Sequence, residues 1–147
     1  MSNRVHWAHD AVHMRLLQPL AQLSGSRFNL RLGLVCDWLT GVLLCGAAVW
    51  HGDLSLRAAL LIAPLGLLLF SVIEYAAHRW LFHGHTGPFH AGHARHHRDP
   101  GGYDALPFFL PPLIMAALAG SFMLALSAAQ ALLLAGATDI GLWVNKQ

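Results

Sequence analysis

The sequence predicts an all-α protein: an integral membrane helical bundle of three or four spans, with a short histidine-rich cytosolic helical segment. Three observations predict it. Apolar residues make up 56% of the chain and charged residues only 11%. A soluble domain carries roughly 25% charged residues, so a water-facing surface could hardly be covered here. Apolar runs recur at or near the roughly 20 residues that cross a bilayer. Finally, seven of the 11 histidines fall between Glu74 and Pro100, directly after one of those runs.

At 147 residues the chain reads as one small membrane unit. Residues 1–31 form an N-terminal amphipathic or interfacial segment, and 32–147 a membrane domain whose metal-binding, histidine-rich part is 74–104. A net charge of +2, with no basic patch interleaved with aromatics, argues against a nucleic-acid partner.

"NRVHWAHDAVHMRLLQPLAQL" places His6, His9 and His13 on one helical face. Trp7, Val12, Leu16 and Leu17 supply an apolar side, and Pro19 is expected to end or bend that helix. His9 and His13 beside Asp10 have metal-ligand spacing. No other liganding residue adjoins them, so solvated surface histidines are the plainer reading. No short apolar core with a small-residue cleavage site is present, so no removable signal peptide is expected.

The first span is expected over 32–50, "LGLVCDWLTGVLLCGAAVW". Asp37 lies near its start, within reach of the interface, and Trp38 and Trp50 lie toward its ends as an aromatic belt would. Cys36 and Cys45 match no zinc-ribbon spacing and read as small packing residues. "HGDLSLR", 51–57, has turn chemistry at Gly52 and Asp53, which makes the first two spans antiparallel neighbours in a hairpin. The second span starts at Ala58, with a kink expected at Pro64 and Gly66. Glu74, His78 and Arg79 follow on the same helix as it leaves the hydrocarbon. Gly84, Gly87 and Pro88 interrupt it. A short helix over 90–98 is expected next, stopped by "DPGG". As one helix, 106–143 would extend to roughly 57 Å. It is therefore a tilted span with an overhang, or two short spans meeting near Gly120–Ser121 or Gly136. Arg4, Arg15, Arg27 and Arg31 precede the first span, and Arg79, Arg95 and Arg98 follow the second. The positive-inside rule puts both the N-terminus and the histidines on the cytoplasmic side.

The histidines fall into two groups: His78-x4-His83, then His93-x2-His96-His97 with His90 one turn earlier. Neutral imidazole suits iron, zinc, copper or nickel. His93 and His97 share a helix face, and His96 lies close by. His78 and His83 are about 140° apart on an ideal helix and would not naturally meet on one ion. Either the helix unwinds near Gly84, or the two ligate different metals. Glu74, one turn before His78, could fix its tautomer, and Asp99 or Asp104 could do so for the later group. Three rival readings are weaker. Headgroup-binding interfacial histidines would account for two or three of the seven. A bis-histidine haem wants its ligands within facing spans. Transport would place ligating residues near the midplane, where Thr40 and Ser71 are among the few polar residues.

"EYAAHRWLFH", "HARHH" and the following Pro100, Asp104, Pro111 and Pro112 resemble the first half of the fatty acid hydroxylase / sterol desaturase superfamily, its fatty acid 2-hydroxylase branch above all. The likeness covers roughly residues 60–126. It implies two helical hairpins, with a cytosolic cap of histidines holding two iron ions, or zinc. His78, His83, His93, His96 and His97 match the ligand motif, and His90 could join them. It further implies hydroxylation or desaturation of a lipid acyl chain with dioxygen. An electron-donor protein of the cytochrome b5 or ferredoxin type would be the redox partner. The family carries a second histidine half, whereas no histidine follows His97 here. The chain then reads as a truncated or degenerate member, or as one that completes its site as a homodimer. The alternative is a non-catalytic metal-binding membrane protein: a sensor, buffer or assembly factor.

Overall fold

The computed structural model describes residues 19–20, 22–83, 94, 97–98 and 105–145. All the regular structure among them is helical. The elements are α1 (Arg27–Trp50), α2 (Leu56–Ala76) running straight into a π-helical turn (Ala77–Phe82), α3 (Leu110–Phe122) and α4 (Ala128–Asn145). Two helices are long and apolar enough to cross a membrane: Arg27–Trp50, and α2 continued through the π turn as Leu56–Trp80.

α1 begins at Arg27 rather than Leu32 because Ser26 caps it. The Ser26 backbone is extended, and its hydroxyl accepts the Asn29 N–H at 3.1 Å, satisfying one of the donors a helix start leaves open. Upstream, Pro19, Leu20 and 22–24 are helical, so the break falls at Gly25 and Ser26, beyond Pro19. The helix over His6, His9 and His13 lies outside the described residues. The α1–α2 connection turns at Gly52, whose φ of +77° suits a residue without Cβ. Ser55 caps α2 by accepting the Ala58 N–H at 3.2 Å. Pro64 sits inside α2, which remains one helix. The run 106–143 resolves into two helices separated by a turn at 123–127, a few residues beyond Gly120–Ser121, while Gly136 lies inside α4. Pro111 and Pro112 open α3, where a missing N–H costs nothing.

The centre of the bundle is α4, in which every residue from Leu133 to Asp139 is buried. It packs between α1 and α2, and no Cα of α1 comes within 8 Å of one in α2. The expected hairpin is thus opened by a third helix. The five-residue link 51–55 allows this, since an extended chain covers about 3.3–3.6 Å per residue. Small residues let α4 in on both sides. A Cβ added to Gly66 of α2 would lie 2.6 Å from Ala137 Cβ and 2.8 Å from the Leu134 carbonyl oxygen. One added to Gly136 would meet Cys45 Sγ at 2.7 Å and the Gly41 carbonyl oxygen at 3.0 Å. The pairings Gly41 with Ile140 and Cys45 with Gly136, against Gly66 with Ala137 and Phe70 with Gly141, make α4 antiparallel to α1 and parallel to α2.

α3 packs on α1 and α4. Its entry is held by Asn29, which is fully buried. The Asn29 amide nitrogen donates to the Leu106 carbonyl at 2.9 Å, and its oxygen accepts the Phe108 N–H at 2.9 Å. The starts of α1 and α3 and the ends of α2 and α4 therefore gather at one end of the bundle. Asp37 does not reach an interface as expected. It lies on the inward line Asn29–Gly33–Asp37–Gly41 of α1 and is fully buried, because the i, i+4 spacing of that line turns it toward α4.

Candidate metal centre

At the end where α2 leaves the bundle, its backbone changes pitch. The His83 N–H donates to the His78 carbonyl at 3.1 Å, an i to i+5 bond that closes the π turn. That bond overturns the expectation that His78 and His83 diverge. The estimate of about 140° holds only for 3.6 residues per turn, and the wider π turn brings the fifth residue back over the first. The two Nε2 atoms lie 3.1 Å apart, and the ring centroids 4.8 Å apart. No unwinding or second ion is needed to let them meet.

A third imidazole joins them from the far side of the histidine-rich segment. The His97 ring centroid lies 5.5 Å from that of His83. One ring nitrogen from each of His78, His83 and His97 falls within 4.8 Å of the others. Nitrogens held at about 2.1 Å from one ion are at most about 4.2 Å apart, so small rotations of exposed side chains close the set. All three rings are exposed, which suits a site open to solvent-borne ligands. This donor set is chemically fit for a borderline cation such as iron or zinc.

His90, His93, His96 and Asp104, the remaining expected site residues, lie outside the described residues. Ala94, His97 and Arg98 are helical, in keeping with the short helix expected over 90–98. Glu74 is half-buried, and its Oε1 accepts from Asn145 Nδ2 at the end of α4. Arg79 turns aside to donate to the Tyr75 hydroxyl at 3.0 Å.

Sequence reasoning missed two groups of polar residues. Asn29 was passed over; the signal nearby was Ser26, an N-cap residue type just ahead of an apolar run. The deeply placed polar side chains are Asp37, Thr138 and Asp139, each 0–1% exposed. Thr40, by contrast, is half-buried and Ser71 exposed.

The fold and site together define a helical bundle with two helices long and apolar enough to cross a membrane and an exposed three-imidazole cluster at one end. No protein-family model, curated protein or solved structure matches this chain.

Proposed function

We propose that the chain is a membrane-bound, histidine-ligated metal oxygenase of the fatty acid hydroxylase type, acting on a lipid acyl chain or a similar hydrophobic substrate. The observation that carries the reading is the π turn, which puts His78 and His83 side by side and next to His97. A two-histidine motif of the wrong helical period becomes a ligand pair by a deliberate change of backbone. The "EYAAHRWLFH" and "HARHH" patterns supply the family likeness.

In this reading α1 and α2 span the bilayer. α3 and α4, about 20 Å and 27 Å long at about 1.5 Å per residue, fill the bundle as its third and fourth elements. Arginine placement puts the histidine end on the cytoplasmic side. The lipid-facing surface is apolar: Leu56, Leu60 and Leu61 of α2 are 75%, 66% and 74% exposed. An acyl chain in the bilayer thus lies beside the bundle while its reactive carbon meets the histidine end, and the aqueous side admits an electron donor of the cytochrome b5 or ferredoxin type.

His78, His83 and His97 would hold the metal, and His90, His93 and His96 would add further nitrogen ligands. Bound iron supplies the dioxygen chemistry, which protein side chains alone lack. The net change inserts one oxygen atom into a C–H bond and releases the other as water, consuming two electrons from the donor protein and two protons. The chain's own residues orient the imidazoles, keep the acyl chain in an apolar surround, and present the site to the donor.

The alternative is a non-catalytic metal-binding membrane protein. The observation favouring it is that the nitrogen set among the described residues numbers three, enough to hold one ion. One experiment separates the readings. The protein is purified in detergent and its metal content measured per chain, by element. Purified protein with bound iron is then given reductant, dioxygen and membrane lipid, and the lipid is analysed by mass spectrometry. Tightly bound iron and a lipid product heavier by one oxygen support the oxygenase. Metal without product favours the binding protein, and absence of metal sinks both.

A further inference from the structure

We propose that Tyr75 and Arg79, where α2 leaves the bundle, form a binding site for the headgroup phosphate of an anionic phospholipid; the inference rests on the reading of α2 as a membrane span and is independent of any metal. α2 has 21 residues, which extend about 32 Å at about 1.5 Å each. A hydrocarbon core is about 30 Å thick. With Leu56 at one boundary, the other falls at the last turn of α2, where Tyr75 stands, with Arg79 and Trp80 just beyond. All three are exposed. Tyrosine and tryptophan collect at headgroup level because each joins an apolar ring to a polar tip.

The geometry of the pair suits a phosphate. Arg79 Nη1 donates to the Tyr75 hydroxyl at 3.0 Å, so a long side chain is already partly ordered before a ligand arrives. That contact uses one of the guanidinium N–H donors, and the phenolic hydrogen can donate in turn. The phenol is neutral, so the contact does not offset the charge of Arg79. Guanidinium and phosphate pair through two parallel N–H···O bonds. The neighbouring carboxylate, Glu74, is half-buried and accepts from Asn145 on α4, and adjacent positions of a helix do not face each other. The rest of this end favours a negative headgroup over a zwitterionic one. Arg27 and Arg31 at the start of α1, and Arg98 beside His97, are exposed. At the opposite end, exposed Arg57 and Asp53 bring opposite charges.

The test compares the wild-type chain with Arg79→Gln, Tyr75→Phe and, at the opposite end, Arg57→Gln. Native mass spectrometry in detergent measures the affinity of each for added phosphatidylglycerol and for phosphatidylcholine, with folding followed by circular dichroism. The wild-type chain should prefer phosphatidylglycerol. Arg79→Gln should cut that preference about 5-fold, Tyr75→Phe by a smaller factor, and Arg57→Gln should leave it unchanged. The same preference in Arg79→Gln as in wild type, or an equal loss in Arg57→Gln, overturns the inference. Displacement of the lipid by millimolar inorganic phosphate marks a free-phosphate site and overturns the lipid assignment. Release of the wild-type chain from phosphatidylcholine vesicles by alkaline carbonate overturns the reading of α2 as a span instead.

Discussion

α2 and α4 are both apolar helices of similar length, and the bundle uses them in opposite ways. α2 buries only Gly66 and Phe70 and exposes leucines along most of its surface. α4 is rich in Ala and Gly and is buried on every side through its middle. In water the helix with the larger apolar side chains would be the core. Here side-chain size rather than apolarity sorts the two: small residues permit close helix approach, and large ones stay on the outside. The same contrast explains where the chemistry sits. A tightly packed helix has no room for a ligand cluster, whereas the peripheral one can change pitch at its free end without disturbing its neighbours.

The largest effect should come from filling the seam on which the contrast depends. Gly66→Leu puts a bulky group where even a Cβ lies 2.6 Å from Ala137. Thermal unfolding in detergent should show α4 displaced and at least about 1–3 kcal/mol lost. Gly46→Ala, where an added Cβ meets nothing within 4 Å, should hold or raise the melting temperature, since Ala is the better helix former by up to about 1 kcal/mol. Equal effects at both sites would break the argument from size.

Next is the π turn. Inserting one alanine between Trp80 and Leu81 should separate His78 from His83 and cut metal content sharply. Deleting Trp80 leaves an i, i+4 pair that an ordinary α-helix places on one face, so metal binding should survive. Loss in the deletion and retention in the insertion would refute the role given to the turn. Among single substitutions, His97→Ala should lower metal content more than His9→Ala, measured by elemental analysis.

A smaller change is expected at the entry to α3. Asn29→Ala removes the donor to Leu106 and the acceptor for Phe108 N–H. Stranding those part-buried backbone groups should cost about 1 kcal/mol. The smallest is Leu60→Ala on the exposed face of α2, which should leave detergent stability within about 0.5 kcal/mol. A core-sized loss there would mean that α2 is covered by something other than lipid.

Much of this was legible in the residues. Composition gave the helical class, Gly52 the turn, and the histidine pattern the place of the imidazole cluster. Other features were hidden for physical reasons. The pairing of His78 with His83 depends on a backbone pitch that no residue between them announces, so a regular-helix estimate sends them apart. The central place of α4 follows from tertiary packing, although the small-residue run "AGATDIG" is the sort of surface that permits it. Asp37 was misjudged because its depth was counted along the helix and not around it. Its spacing from Gly33 and Gly41 already marked the inward face.

The wedge position of α4 has a consequence for how the protein is made. A ribosome delivers α1 and α2 first, joined by a short link and with nothing to hold between them. Their proper partner emerges only after the histidine segment and α3 have followed. The halves of the early pair must therefore either wait apart or close on each other and reopen. Contacts so distant along the chain form slowly, and biogenesis of this bundle should finish only after α4 has left the ribosome.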